Sequence, residues 1–237
     1  PHTNNELGRD TGNGQEVPED APYGAKPWPQ VEKNFAAMVS LLDRQVASLI
    51  DKLKQKGLYD NTLIVFTSDN GAHNEGGHNH KFFRSNADMN GIKRSLTDGG
   101  IRVPAIATWA NQIPAGTVNS TPWAFWDVLP TFARLAGVAP PQGLDGMDVS
   151  EVWRGKSTRT QPYYYWEFHE GGFAQAVRKD DWKCIKLKTG EMQLFDPKQD
   201  PREENNLAAT RPQVVSELKA IMAAARTESP DWPVPKA

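Results

Sequence analysis

Residues 62–80, TLIVFTSDNGAHNEGGHNH, set an apolar run directly against Asp69, Asn70 and Gly71, and then place His73, His78 and His80 in the loop that follows. A carboxylate and a carboxamide oxygen are hard ligands suited to Ca2+ or Mg2+, and Gly71 lets the backbone turn straight after them. Asp-Asn-Gly behind a strand is also ordinary turn chemistry, and the tripeptide alone does not choose between the two. With Asp69, the three histidines have the atoms for a zinc site, but a glycine-bearing loop lacks the helical i, i+4 spacing that would preorganise them. Solvated or cleft-lining histidines are the alternative. Downstream, GIKRSLTDGGIRVP (91–104) presents Lys93 and Arg94 among turn residues, adjacent cations able either to bind an anion or simply to be solvated.

Such donors need elements to position them. In open α/β sheets ligands collect beyond the carboxyl ends of strands, and TLIVFT (62–67) reads as a strand covered on both faces in a parallel sheet, with VPAIATWA (103–110) a second. Residues 1–30, rich in Pro, Gly and Asn, read as an ordered loop or linker. Val31, Phe35, Met38, Leu42, Val46, Leu49 and Leu53 recur at steps of three or four and predict a helix ending at Gly57, packed on something large. TPWAFWDVLPTFARLAG reads as a helix with Thr121 as N-cap, Pro122 at its first position, a kink at Pro130 and Gly137 past its end. Beyond residue 145 the texture shifts to short segments, PYYYWEFH, FAQAVRK, WKCIKL and MQLFD, expected to form an antiparallel meander. A last helix over 212–226, with Val214, Val215, Leu218, Ile221 and Met222 on one face, would cover it. The expected organisation is an α/β domain over 1–145 and a small α+β subdomain over 146–237.

A chain of 237 residues accommodates one large domain or a domain with a subdomain. With 27 Lys and Arg against 29 Asp and Glu, there is no broad electrostatic footprint for nucleic acid or an anionic membrane. No run of about 18 apolar residues is present, and no leader is visible; any export signal would precede residue 1. The lone cysteine, Cys184, excludes an internal disulfide and reads as a strand residue of DWKCIKL.

FTSDNG, EGGH…FFRSNADMNGIKRSLTDGGIRVP, IPAG, PWAFWDVLPTFARLAG, YYYWEFHEGGFAQAVRKDDWKCIKL and QLFDPKQDPREENNLA, in that order, resemble the C-terminal part of a type I sulfatase over most of the chain. The resemblance implies an alkaline-phosphatase-like α/β fold that hydrolyses sulfate esters with a divalent cation, usually Ca2+. It makes Asp69 and Asn70 metal ligands and Lys93, in the G-x-K motif, a sulfate contact. His2, in the opening Pro-His pair, maps to the histidine that touches sulfate and assists the leaving oxygen. His73 and His78 would stand at the cleft rim as substrate contacts. These roles suit the chemistry, because charge develops on the bridging oxygen and a cation, an ammonium and an imidazolium aimed there favour the transition state.

The family's nucleophile, a formylglycine whose hydrate attacks sulfur, arises from a Cys/Ser-x-Pro-x-Arg motif. Around Cys184, Lys186 and Lys188 fill the proline and arginine places, and the stretch from Ser229 also fails at the arginine place. The pair of acids that completes the family's metal cage is not found ahead of Asp69. The expected reading is therefore the C-terminal portion of a sulfatase whose N-terminal segment supplies the formylglycine and the remaining Ca2+ ligands. Alone it would expose strand edges and core surface and aggregate; a soluble, cooperatively unfolding monomer would count against this. The expected substrate is a sulfate ester, with sulfated carbohydrate the natural class, and a periplasmic or secreted setting fits. A phosphodiesterase of the same superfold would want Asp and His ligands where SDNG offers an amide. A non-catalytic module would bind sulfated glycans or a partner through the cleft loops and the YYYW segment.

Overall fold

The computed structural model describes residues 2–156 and 161–234; Pro1 of the Pro-His pair lies outside them. The architecture is mixed α/β with two antiparallel sheets. Contacts divide the chain into two compact units, residues 1–60 with 68–103, and residues 61–67 with 104–237. Segment 104–145 thus belongs to the same unit as the C-terminal meander.

Among its described residues the first unit holds two longer helices, one single-turn helix and a long irregular segment. Its opening residues are not all loop: α1 spans Asn5–Thr11, started by Asn4, whose side chain accepts from the Leu7 N–H, and stopped by Gly12 at φ 74°. The Asn-capped start and the glycine stop were the available signals. The long helix α2 runs Gln30–Gln55, close to the predicted span. Its apolar stripe is covered only over the first half: Ala37 and Met38 are buried, whereas Leu49 is 68% exposed. Segment 68–103 ends in the short α3, Asp98–Ile101.

In the second unit, β1 (Ile64–Thr67) pairs antiparallel with β2 (Ala105–Thr108), Ile64 opposite Thr108 and Thr67 opposite Ala105. This corrects the parallel reading. A parallel pair needs a crossover, usually a helix, and the chain between these strands holds only the single turn of α3. Neither strand is fully covered either, since Ala105 and Ile106 are exposed. Leu63, Val65 and Ala107 pack with Val149, Val152 and Trp153, the last two from α5 (Ser150–Trp153).

The helix expected from Thr121 starts later. α4 runs Val128–Leu135, preceded by a 3-10 turn at Phe125–Asp127, and the Asp127 carboxylate takes the Ala124 N–H at 2.8 Å. Pro130 thereby falls in the first turn, where its missing N–H has no intrahelical partner to lose, so no kink follows. Gly137, at φ 70°, does mark the end.

The meander forms as read: β3 (Tyr164–Phe168), β4 (Ala174–Lys179), β5 (Trp182–Lys186) and β6 (Met192–Phe195) lie in sequential antiparallel order. α6 (Pro212–Ala225) lays Leu218 and Met222 over Val177, Cys184 and Leu194. Cys184 is fully buried in this core, and burial pushes its thiol up to about 11. An uncharged thiol of that kind is a packing residue.

Candidate functional site

All six predicted site residues fall in the first unit, five of them, all but His2, within two stretches that backbone hydrogen bonds tie together. The Lys93 N–H donates to the Ala72 carbonyl at 2.7 Å and the Gly71 N–H to the Gly100 carbonyl at 2.9 Å. The approach is so close that a Cβ at position 71 would sit 1.9 Å from the Gly99 carbonyl oxygen, so only glycine fits behind Asn70. The segment bearing Asp69 and Asn70 is thus pinned along the segment bearing Lys93.

Asp69 is exposed, and among the described residues its carboxylate takes no hydrogen bond or ion pair. Asn70 turns its amide N–H2 to the Gly71 carbonyl at 2.9 Å, which leaves Oδ1 free. Two adjacent hard oxygens without protein partners fit a Ca2+ or Mg2+ ion as part of its shell. They do not complete one: no group of three or more His, Cys, Asp or Glu side chains converges among the described residues.

Lys93 and Arg94 meet on one acid that sequence reasoning passed over. Glu75 receives Lys93 Nζ on Oε2 at 2.9 Å and Arg94 Nη1 on Oε1 at 2.6 Å. Hydrogen bonds from these two cations hold its carboxyl down at about 2. A carboxylate depressed in this way stabilises the fold fully above its ordinary value of 4.5, and the contribution is lost as pH falls toward 2. Thermal melts of wild type and Glu75→Gln should therefore be separated at neutral pH and converge as the pH approaches 2. A gap unchanged down to that pH would mean packing, not charge, is responsible.

The histidines divide by role. His2 places Nδ1 2.7 Å from the Thr3 carbonyl oxygen; a carbonyl only accepts, so Nδ1 carries a hydrogen, and in the neutral ring Nε2 would hold the lone pair. His73 is the reverse: its Nδ1 accepts the Glu75 N–H at 3.0 Å, so in the neutral ring Nε2 carries the hydrogen. Burial first, and then the nearby His78, lower its pKa, opposed by Glu75 and assisted by Lys93 and His2. His2, His73 and Lys93 are thus electrostatic neighbours, and His73 is neutral at pH 7.

His78 does not stand at a rim. It is 3% exposed, with Nδ1 2.7 Å from Glu32 Oε2 and its ring stacked on Phe35 at 3.6 Å between centroids. The other Glu32 oxygen takes the Asn79 N–H at 2.9 Å. Glu32 is itself 2% exposed, so the pair ties the histidine loop to α2 from inside. His80 likewise gives Nδ1 to Asn74 Oδ1 at 2.6 Å. The zinc arrangement of His73, His78, His80 and Asp69 does not form, because no three such side chains converge among the described residues. Glu32 beside Val31 and one turn before Phe35 was the signal for this layer: an acid at the edge of an apolar stripe.

Comparison with known proteins gives a consistent picture. Residues 2–138 match the Sulfatase family model, and residues 91–228 match the model for the C-terminal region of N-sulphoglucosamine sulphohydrolase. Steryl-sulfatase of Mus musculus is 35% identical over 148 residues, covering 61% of this chain and 24% of that protein. The crystal structure of Ps i-CgsB in complex with k-i-k-neocarrahexaose superposes with a TM-score of 0.78 at 29% identity, covering 92% of this chain and 48% of that one. BT4656 in complex with its substrate D-glucosamine-2-N,6-O-disulfate superposes with a TM-score of 0.68 at 26% identity, covering 83% and 40%. The chain spans between about a quarter and a half of the length of these proteins.

Proposed function

The chain belongs to the sulfatase family, whose model matches residues 2–138 of its 237, and we propose that it contributes the metal- and sulfate-binding part of a sulfuric ester hydrolase. The observation that carries the reading is the backbone pinning of the Asp69–Asn70 turn along the Lys93 segment, with Lys93 and His2 each close enough to His73 to act on its charge.

In this reading Asp69 and Asn70 Oδ1 hold Ca2+ together with oxygens from an N-terminal sulfatase segment, since Ca2+ takes six to eight. The cation, once bound, supplies Lewis-acid neutralisation of sulfate charge. The remaining chemistry belongs to side chains of this chain. Lys93 places an ammonium on a sulfate oxygen. His73 Nε2–H donates a neutral hydrogen bond at the same face, and His2, with Nδ1 anchored on Thr3, offers Nε2 to carry the proton exchanged with the leaving oxygen. His78 takes no substrate role here; it holds the loop.

The partner segment would supply the formylglycine nucleophile and cover apolar surface. Ile106, Leu129 and Phe132 are 61%, 52% and 43% exposed in the second unit, large for residues of a finished core. Sulfated carbohydrate is the substrate class we favour, because Ps i-CgsB and BT4656 are each described with such a ligand.

The test joins this chain to a sulfatase N-terminal segment carrying the Cys/Ser-x-Pro-x-Arg motif and follows hydrolysis of 4-nitrocatechol sulfate. Activity should appear on joining, vanish with chelator and return with Ca2+. Asp69→Ala should raise the Ca2+ needed by at least about tenfold, read both as activity and as the Ca2+ concentration that raises Tm. Hydrolysis indifferent to Ca2+, or to Asp69, would end this assignment.

A further inference from the structure

An open cavity of about 350 Å3 lies between α1 and the loop that bears Glu75, lined by Asn5, Gly8, Arg9, Asn74, Glu75 and the adjoining glycines. That is near the lower end of volumes that hold small ligands, roughly 300–1,000 Å3. Its construction is specific. A Cβ at Gly8 would sit 2.5 Å from Gly76 Cα, so α1 docks on the loop backbone to backbone. Asn5 and Arg9, four residues apart, then share the face of α1 that borders the cavity.

The two charged groups that line it, Arg9 and Glu75, are unequally engaged. Glu75 is shared with the site above and already carries Lys93 and Arg94. Among the described residues the Arg9 guanidinium makes no ion pair or hydrogen bond, although Glu6 and Asp10 lie on the same helix. Of the two charged groups that line the cavity, Glu75 thus already has two counter-ions, and the Arg9 guanidinium keeps its donor fork for a ligand. Asn74 commits Oδ1 to His80 and keeps its amide N–H2 available. A guanidinium with amide donors nearby is a set that reads an anion on a hydroxyl-rich scaffold.

We propose that this cavity is a substrate subsite that takes a second anionic group of a sugar whose first sulfate lies at Lys93, with Arg9 as the specificity residue. The proposal rests on the sulfatase reading for its first anchor and adds the substrate class: saccharides carrying two or more negative charges, the second a sulfate or a carboxylate. Glu75, which lines the cavity and touches Lys93 at 2.9 Å, sets the spacing between the two anchors.

The experiment measures binding of two probes to the joined, Ca2+-loaded protein by calorimetry, sucrose octasulfate for the sulfate arm and trigalacturonate for the carboxylate arm. At least one should bind, and Arg9→Gln should weaken it by about tenfold, the worth of a hydrogen-bonded charge, while Arg44→Gln, at another exposed cation, on α2, should change it less than twofold. The arm that responds identifies the second anion. In the joined enzyme, Arg9→Gln should leave kcat on 4-nitrocatechol sulfate unchanged, because that substrate has nothing to place in the cavity. Binding of neither probe, or equal losses for Arg9→Gln and Arg44→Gln, overturns the subsite. Those results would leave the Ca2+ and Lys93 tests untouched, so the two readings fail separately.

Discussion

Lys93→Ala should lower kcat for aryl sulfate hydrolysis in the joined enzyme by about 100- to 1,000-fold, the usual cost of removing one preorganised donor from a developing anion. The size of the effect follows from where the ammonium sits before substrate arrives. Nζ rests on Glu75 with its side chain 21% exposed, so it is already half-desolvated and aimed, and little is spent ordering it. The same carboxylate holds Arg94, 44% exposed, on its other oxygen. When Lys93 turns to sulfate, Glu75 therefore keeps a counter-ion, and the transfer of Lys93 from carboxylate to sulfate leaves no bare buried charge. The loss should fall on kcat more than on KM, because the sulfate gains charge at the bridging oxygen only as the bond breaks. Added methylammonium should recover part of the rate in Lys93→Ala, since the cavity left is the size of the missing amine. A decrease below about fivefold, or a change confined to KM, would place Lys93 outside the sulfate contact.

Much of this site was legible before any coordinates, and the reason is local. Asp69, Asn70 and Lys93 sit in turns whose glycines are required by close backbone approach, and turn chemistry is written in adjacent residues. The meander and its covering helix were legible for a similar reason, because alternation and a 3.6-residue period survive in short windows. What stayed hidden were partnerships across long sequence separations. Glu32 reaches His78 over 46 residues and Glu75 reaches Lys93 over 18, and nothing in the spacing of either acid announces the contact. The same holds for β1 and β2, whose apolar runs look alike in parallel and antiparallel pairings. The chain between them decided the matter, and its one helical turn is too short to carry a crossover. His78 shows the limit of residue type as a guide: of the three loop histidines, His73 accepts the Glu75 N–H and His80 meets Asn74 within the loop, whereas His78 is held by Glu32 from a distant helix.

The largest stability effect should come from a pair that takes no part in the chemistry. Lys183, in β5, and Glu203 meet at 2.7 Å with both side chains wholly inside. Cys184 and Leu194 face α6, so the alternation of the strand turns Lys183 to the opposite side, where Ile185 is buried too. Glu203 reaches it from the turn after β6 in a left-handed backbone conformation, φ 52°, a posture a non-glycine residue holds only at some cost. That turn is fixed by Asp200, whose carbonyl takes the Glu203 N–H at 3.0 Å and whose carboxylate takes the Asn205 N–H at 2.8 Å. Removing the cation alone takes this counter-ion from a carboxylate that is wholly buried. Lys183→Met should therefore cost about 3–5 kcal/mol and lower Tm by roughly 10 °C or more. Lys183→Met combined with Glu203→Leu should recover most of that loss, because two apolar side chains of similar volume need no mutual compensation. If the single variant loses less than about 1 kcal/mol, water or a neighbouring cation already serves Glu203, and the pair is a surface ion pair in energetic terms. If the double variant is as weak as the single, the pair sets the geometry of the 196–206 turn beyond its charge, and the meander's last strand should show the loss first in hydrogen exchange.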